Sequence, residues 1–276
     1  MTMMINTNLA SLNTQRNLSN SSGLVAQAVQ RLSSGLRVNS AKDDAAGLAI
    51  AERMNSQVKG MNVAIRNAND AISLSQTAEG ALGKVSDMMQ RMRELSVQSV
   101  NATNSTSDRA NLNGEYQQLG SEITRVLAGT NFNGVHMLGA DAGTLSFHIG
   151  AGTTSNDTID VVTTQLDTAA TITAVTGGAI TGVANSTNAI NNLDTAIGTI
   201  TTARAAYGAA QNRFETTIST LQISAENVAA SRSRIVDADY ATETAALTRG
   251  QILSQAGTAM LAQANQLPNS VLSLLR

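Results

Sequence analysis

The sequence lacks the residues on which disulfides, metal centres and aromatic pockets depend. Among its 276 residues there is no cysteine and no tryptophan, and there are only two histidines, three tyrosines and three phenylalanines. The missing thiols exclude a disulfide framework, thiol catalysis and thiolate metal sites. So few aromatic rings and histidines also argue against an aromatic-lined pocket and against general-base chemistry.

Proline and net charge are almost absent as well. Pro268 is the only proline, so proline interrupts almost no helix. The 18 basic and 20 acidic residues leave a formal net charge of −2, which gives no electrostatic footprint for nucleic acid. No run reaches the ~18 consecutive apolar residues of a membrane helix. The N-terminal residues lack the basic start and apolar run of a secretory signal.

The apolar residues recur at alternating spacings of three and four, which marks one face of an α-helix. The longest series runs from Ile190 to Val228, with two polar interruptions. As single helices, residues 61–100 and 189–232 would extend roughly 60 and 66 Å, beyond the ~48 Å diameter of a compact globule of this length. The sequence therefore predicts a mainly α protein, an elongated antiparallel helical rod or coiled-coil bundle.

The pattern changes to that of short strands in the middle of the chain. Residues 144–149 alternate apolar and polar side chains and residues 158–162 are β-branched, so we predict a small β-hairpin insert. Residues 163–188 are rich in Thr, Gly and Ala without a clear period, which predicts a small lobe or a loose loop. We expect residues 130–188 to hold the hairpin and a short variable loop, with a turn over residues 131–134.

Both ends of the chain are amphipathic and nearly free of charge. The first acidic residue is Asp43, and no charged residue lies between Arg249 and Arg276. An isolated amphipathic helix is marginal in water. We therefore expect residues 1–43 and 236–276 to form terminal helices that are disordered in the monomer and order on assembly, and residues 44–235 to form the rod domain. Two glycines in the C-terminal segment, Gly250 and Gly257, suit close approach of another helix.

Motifs of enzymes do not occur in the sequence. There is no HExxH, GxSxG, P-loop or GxGxxG pattern. The paired carboxylates Asp43–Asp44 and Asp237 with Asp239 suit helix starts. We therefore predict no catalytic, metal-binding or cofactor-binding residue.

Long motifs at both ends resemble those of bacterial flagellins. The resemblance covers residues 4–150 and 189–276. Larger members of that family carry outer domains in the middle, so the chain is similar to a short form in which residues 151–188 replace them. The resembling motifs are residues 4–12 (MINTNLASL), 31–37 (RLSSGLR), 41–50 (AKDDAAGLAI), 90–99 (QRMRELSVQS), 132–134 (FNG), 147–150 (FHIG), 231–243 (SRSRIVDADYATE), 251–257 (QILSQAG), 262–266 (AQANQ) and 271–276 (VLSLLR).

The resemblance implies a structural subunit of the helical filament that propels the cell. Flagellins leave the cell unfolded through the flagellar type III export apparatus, with an export chaperone, and polymerise beneath the filament cap. The implied protein is extracellular, is not an enzyme and needs no cofactor. Its terminal helices would pair as an inner tube, and its rod-domain helices would form an outer tube. The implied inner-tube packing residues are Leu18, Val25, Val29, Leu32, Leu36, Ile252, Ala256, Met260, Leu267, Val271 and Leu272.

The resemblance also implies a recognition patch for Toll-like receptor 5 at Arg91, Leu95 and Glu115. Arginine and leucine four residues apart share a helix face. Spacing alone instead favours solvated charges at Arg91 and Glu115 with Leu95 as subunit-facing core. A second function class also fits a secreted helical chain, namely a hook–filament junction protein or another type III-exported helical adaptor.

Overall fold

A computed structural model describes residues 7–272, with side chains for residues 7–266. The predicted mainly α class with one small antiparallel sheet is confirmed. Strands β1 (Thr144–His148) and β2 (Thr158–Val162) pair antiparallel. The helices are α1 (Leu9–Ser34), α2 (Ala45–Val100), α3 (Thr106–Gly129), α4 (Ala170–Thr176), α5 (Val183–Val236) and α6 (Tyr240–Leu272).

The chain divides into two compact units. The terminal unit comprises residues 1–56 and 227–276, and the central unit comprises residues 57–226. Helices α2 and α5 each contribute residues to both units. We expected the boundaries between the domains at residues 43 and 236, next to the ends of helices. The observed boundaries between the two units instead fall within α2 and α5.

The core of the central unit consists of apolar side chains from α2, α3 and α5, against which the hairpin packs. Leu82, Val85 and Met89 of α2 are fully buried at the three- and four-residue spacing of a helix face, and Ile123 of α3 is fully buried as well. Phe147 of β1 meets Phe214 of α5 edge to face, with ring centroids 5.7 Å apart. The hairpin is thus fixed to the helices by apolar burial.

The segment between β2 and α5 is packed, so of the two expected alternatives the structure favours the small lobe over the loose loop. Leu166, Ile172, Val175 and Ile180 are each at most 1% exposed. Helix α4 packs against α3. The apolar residues of the segment are spread over one short helix and its flanking turns, so they follow no single period along the sequence.

The turn at residues 131–134 is confirmed. Phe132 and Val135 exchange two backbone hydrogen bonds of 3.0 Å. Asn133 and Gly134 have φ values of 51° and 85°. Both residue types tolerate this left-handed backbone region, which explains their place at the turn.

No helix in the described part of the chain is both long and apolar enough to cross a membrane. Within the same residues, no cluster of three or more His, Asp or Glu side chains could hold a metal ion. One of the histidines, His136, instead meets Asp141 at 3.1 Å on the surface.

Two tyrosines in the core of the central unit differ in how their hydroxyls are satisfied. Burial raises the pKa of each to about 12. The Tyr116 hydroxyl donates to the carbonyl of Val175 at 3.1 Å. The Tyr207 hydroxyl is also buried, and none of the described residues is a hydrogen-bond partner for it.

We expect Tyr116→Phe to lower the free energy of unfolding by about 1 kcal/mol, because it removes a buried hydrogen bond. Tyr207→Phe should leave that free energy unchanged or raise it, because it removes a buried hydroxyl without a described partner. Chemical denaturation of both variants beside the parent chain measures the difference. An equal loss in the two variants would contradict this account of the core.

Candidate functional site

Helices α1 and α6 of the terminal unit lie side by side, and their Cα atoms approach within 8 Å. Asn8, the N-cap of α1, donates to the carbonyl of Ala264, and Arg31 in the last turn of α1 bonds Glu243 in the first turn of α6. The two helices are therefore antiparallel, with the two ends of the chain paired along most of their helical length.

The two helices meet along one narrow line of mostly small side chains, which we call the seam. Its members are buried or half-buried, and they recur at alternating spacings of three and four. The seam residues are Ser11, Thr14, Leu18, Ser21, Val25, Ala28 and Leu32 of α1, and Glu243, Leu247, Gly250, Ser254, Gly257, Leu261 and Ala264 of α6.

Two glycines bring the helices close together. A Cβ atom on Gly250 would lie 2.7 Å from Cγ2 of Val25, closer than real Cβ atoms come. A Cβ atom on Gly257 would lie 3.3 Å from Cδ1 of Leu18. The suitability of Gly250 and Gly257 for close helix approach is confirmed for the α1–α6 pair.

Few charged residues lie on α1 and α6, and two of them form an ion pair between the helices. Helices α1 and α6 carry only four charged residues, Arg16, Arg31, Glu243 and Arg249. Nη1 of Arg31 lies 2.9 Å from Oε1 of Glu243, with side chains 26% and 11% exposed. Nε of Arg31 is buried without a hydrogen-bond partner among the described residues. The pair therefore links α1 to α6 in surroundings that water reaches only partly.

Next to this ion pair, residues 35–37 are hydrogen-bonded to residues 235–238. We call this set of contacts the clamp. Gly35 ends α1 with a φ of 71°, which favours glycine. Leu36 then forms an antiparallel bridge with Asp237. The Arg37 guanidinium donates twice to the carbonyl of Ile235, at 3.2 and 2.6 Å. The motif over residues 31–37 thus ends one helix and caps the carboxyl end of another.

Of the linker carboxylates, Asp43 holds a turn ahead of α2, whereas Asp44 and Asp239 cap the starts of α2 and α6, as their positions in the sequence suggest. Asp43 accepts hydrogen bonds from the hydroxyl and amide of Ser40, which hold its pKa below the ordinary value. Asp239 accepts from the Thr242 hydroxyl and the Ala241 amide at the start of α6, which lower the pKa of Asp239 in the same way. Asp43 and Asp239 therefore stay ionised near neutral pH and stabilise the linker turns.

The faces of α1 and α6 that point away from the seam are apolar and exposed. The described residues include fourteen large apolar side chains that are exposed, and eight of them lie on these two helices. Concentrated exposed apolar surface marks an interaction site. The eight are Leu9, Leu12, Leu24, Val29, Tyr240, Ile252, Leu253 and Met260. We call them the outer faces.

The predicted inner-tube residues fall into three groups. Leu18, Val25 and Leu32 lie in the seam, and Leu36 is half-buried in the clamp. Val29, Ile252, Ala256 and Met260 are exposed and do not contribute to the seam, so packing of these four between subunits stays a prediction. Leu267, Val271 and Leu272 lie outside the residues whose side chains the structure describes.

Sequence reasoning found Gly250 and Gly257 but missed the rest of the α6 side of the seam. The series Ile252, Ala256, Met260 stands out in the sequence because its members are apolar. The buried positions of α6 are instead Glu243, Gly250 and Ala264, seven residues or a multiple of seven apart. A seven-residue count that included glycine and small polar residues would have found them.

The expected receptor patch is only partly at the surface. Arg91 Nε lies 2.9 Å from Oε1 of Glu115, and Arg91 Nη1 lies 3.0 Å from Oε2 of Glu94. Hydrogen bonds to Glu115 and then to Glu94 raise the pKa of Arg91. Leu95 is 1% exposed and belongs to the core of the central unit. The expectation of one surface patch is therefore wrong for Leu95, which shares the buried face of α2 with Met92.

Comparison with known proteins matches both ends of the chain. The bacterial flagellin N-terminal helical region matches residues 5–142, and the bacterial flagellin C-terminal helical region matches residues 190–275. The chain belongs to the bacterial flagellin family. The matched ranges contain the clamp and the whole of α1 and α6, whereas the unmatched residues 143–189 contain the hairpin and α4.

Relatives of similar length support the same membership. The chain is 46% identical over 274 residues to a flagellin of Halalkalibacterium halodurans, covering 99% of this chain and 100% of the relative. It is 44% identical over 287 residues to the flagellar filament 33 kDa core protein of Treponema phagedenis, with 99% and 100% coverage.

Solved structures show the same helical fold. The crystal structure of Bacillus cereus flagellin is 33% identical with a TM-score of 0.50, covering 56% of this chain and 88% of that one. A structure assigned as a flagellar hook-associated protein of Vibrio parahaemolyticus has a TM-score of 0.58, covering 71% of this chain and 100% of that one. At 14% identity this second likeness shows the fold alone.

We expect Gly250→Ala to weaken the α1–α6 pair and lower the temperature at which filaments of the chain depolymerise. The added methyl would overlap Val25, which is stiff at χ1, and overpacking costs about 1–3 kcal/mol, more than the gain in helix propensity. Sedimentation of filaments across a temperature series measures the change.

Two further variants control for this prediction. A Cβ atom added at Gly23 of α1 would have nothing within 4 Å, so Gly23→Ala should not lower the depolymerisation temperature. Val25→Ala should restore part of the loss in Gly250→Ala, because it removes the overlapping methyl. A loss in Gly250→Ala that Val25→Ala does not reduce would contradict the contact.

Proposed function

We propose that the chain is the structural subunit of an extracellular bacterial flagellar filament, built from many copies of itself. Membership of the flagellin family and full-length relatives named as flagellins or as a filament core protein support this role. The observation that carries it is the exposed apolar surface of the outer faces of α1 and α6. A structural subunit needs an apolar surface through which copies assemble, and it needs no catalytic group.

Further copies of the same chain are the occupants that these outer faces fit. The faces lie on helices with four charged residues, two of which pair with each other as Arg31 and Glu243. Stacked copies would therefore bring few like charges together in a dry interior. Each added subunit would cover apolar side chains such as Ile252 and Met260, which are 60% and 62% exposed.

The balance of burial and entropy supports ordering of α1 and α6 on assembly. Fixing one residue costs about 1–2 kcal/mol of backbone entropy. Fully burying a large apolar side chain contributes about 1.5–3 kcal/mol. The seam covers one stripe of each helix and is built largely of small side chains, so the pair alone gains little. Neighbouring subunits that cover the outer faces would supply the remaining burial.

We further propose that the chain is exported through the flagellar type III apparatus with an export chaperone and assembles beneath a filament cap. These partners follow from the family resemblance. With no cysteine in the sequence, no disulfide has to be opened before the chain passes through as an unfolded polypeptide. The alternative of a hook–filament junction protein is not favoured, because the full-length relatives are filament proteins.

The exposed pair Arg91–Glu115 is a candidate contact for Toll-like receptor 5. The two side chains are 51% and 46% exposed and join α2 to α3 on the surface of the central unit. An arginine held in place by a carboxylate loses little entropy on binding and suits an interface anchor. Leu95 would act on this surface through the fold, because its side chain is buried.

Deletion of residues 250–276 should leave a soluble central unit that cannot form filaments. The deletion removes most of the α6 side of the seam and leaves the apolar stripe of α1 uncovered. Electron microscopy of the chain incubated with filament fragments measures assembly. Normal filaments from the truncated chain would contradict the proposed function.

A pair of substitutions tests the outer faces without removing the seam. Ile252→Lys with Met260→Lys should block filament growth, because it places charges in the surface proposed to be buried between copies. Val162→Lys is the matched control, since Val162 of β2 is 65% exposed and lies outside the terminal helices. Equal growth of the Ile252–Met260 variant and the control would exclude the outer faces as the assembly surface.

Arg91→Ala with Glu115→Ala should weaken signalling by the soluble chain through Toll-like receptor 5. Loss of an anchor arginine commonly costs about 2 kcal/mol or more of binding free energy. A receptor reporter assay across a concentration series measures the shift. Glu122→Ala with Arg125→Ala removes another exposed ion pair, on α3, and should leave the response unchanged. An unchanged response in the first variant would reject the patch.

A further inference from the structure

We propose that Arg31 and Glu243 set the register in which α1 and α6 pair. The inference rests on the proposed filament, because only the paired helices present the outer faces that assembly uses. In the pairing observed, Arg31 meets Glu243 at 2.9 Å, Val25 meets Gly250 and Leu18 meets Gly257.

The shapes of the side chains along the seam do not by themselves favour the observed register over a shifted one. The small residues Gly250, Gly257 and Ala264 of α6 are spaced by seven. A slide of α6 by seven residues, roughly 10 Å, would place Gly257 against Val25 and Ala264 against Leu18 with similar shapes. Antiparallel helices with such a repeat need another feature to exclude the shifted pairings.

The charged residues distinguish the registers that shape does not. In the slide that brings Gly257 to Val25, Arg31 would face Gly250 beside Arg249 and would have lost its carboxylate partner. In the opposite slide, Glu243 would lie against the apolar Val25. Both shifted pairings leave a charge half-buried without a counter-charge, which is strongly unfavourable.

The ion pair borders a partly open groove of about 160 Å³ between α1 and α6, which is lined also by Leu24, Ala28 and Arg249. The polar contact therefore joins the two helices at a point where their side chains do not fill the space between them. The clamp joins the linkers outside the seam, through backbone bonds and through the Arg37 guanidinium. Glu243 lies in the first turn of α6, the part that must unwind if α6 slides away from the clamp.

The register also decides where the outer faces lie. A slide of seven residues would keep Ile252 and Met260 on the same side of α6 but move them roughly 10 Å along α1. The apolar surface offered to the next copy would then no longer match the surface of a correctly paired neighbour. A shifted chain should therefore add poorly to a growing filament.

A disulfide that fixes the register of the two helices tests whether the ion pair acts through the register or in another way. We call such a disulfide a lock. In Leu18→Cys with Gly257→Cys the two Cβ atoms would lie about 3.8 Å apart, the mean separation in disulfides. The sequence contains no other cysteine, so this lock forms alone. Leu18→Cys with Ala264→Cys locks the chain in the register shifted by seven residues.

The experiment measures the rate at which soluble chains extend filament fragments of the parent chain. Arg31→Met with Glu243→Leu should slow growth by about tenfold, because mispaired chains compete with paired ones. The native-register lock should bring this variant to within about twofold of the locked chain with both charges, and reductant should abolish the rescue. The shifted lock should block growth in both backgrounds. Lys84→Gln with Asp87→Asn, an exposed pair on α2, is the control and should grow normally.

Three results would overturn the proposal. Growth of Arg31→Met with Glu243→Leu at the parent rate would show that the clamp or seam sets the register. A native-register lock that fails to rescue would show that the ion pair acts in another way. A native-register lock that blocks growth with both charges intact would show that the filament uses a different pairing. Failure of the unmodified chain to extend the fragments would instead reject the filament function itself.

Discussion

The close pairing of α1 with α6 through a line of small side chains is the constraint on which the assembly function depends. Gly250 and Gly257 let the helices approach, but glycine, alanine and serine bury little apolar area. The larger side chains of both helices, Ile252 and Met260 among them, therefore remain outside the pair. Because the seam covers only one face of each helix, we propose that further copies of the chain cover the other faces.

The central unit, in contrast, buries its large apolar side chains within one chain. Its core contains Leu82, Met89, Ile123 and Phe214, all fully buried within one chain. The hairpin and α4 pack on to these helices, so the unit gains its burial without a partner. The chain thus combines a unit that buries its own core with a terminal unit whose exposed apolar surface we propose is covered by other copies. The proposed role of the Arg31–Glu243 pair is to define how the terminal helices meet.

The sequence predicts the helices and the hairpin well because their signals are periodic. Strand β2 has the predicted bounds, and α2 and α5 contain the predicted long helices. Large side chains reveal part of the α1 side of the seam, at Leu18, Val25 and Leu32. They do not reveal positions such as Ser21 and Glu243, which are buried without being large and apolar. The burial of Leu95 and the packing of Leu166 depend on contacts between segments that are distant in sequence, which a local pattern does not show. The receptor and subunit contacts depend on other molecules, which no pattern within one chain contains.

Hydrogen exchange of the free chain and of its filament shows whether the pairing of α1 with α6 is coupled to assembly. We expect rapid exchange over residues 9–34 and 240–266 in the free chain and strong protection of both in the filament. Residues 78–95 of the central core should be protected in both states and serve as an internal reference. Strong protection of both terminal helices already in the free chain would contradict the coupling of their pairing to assembly.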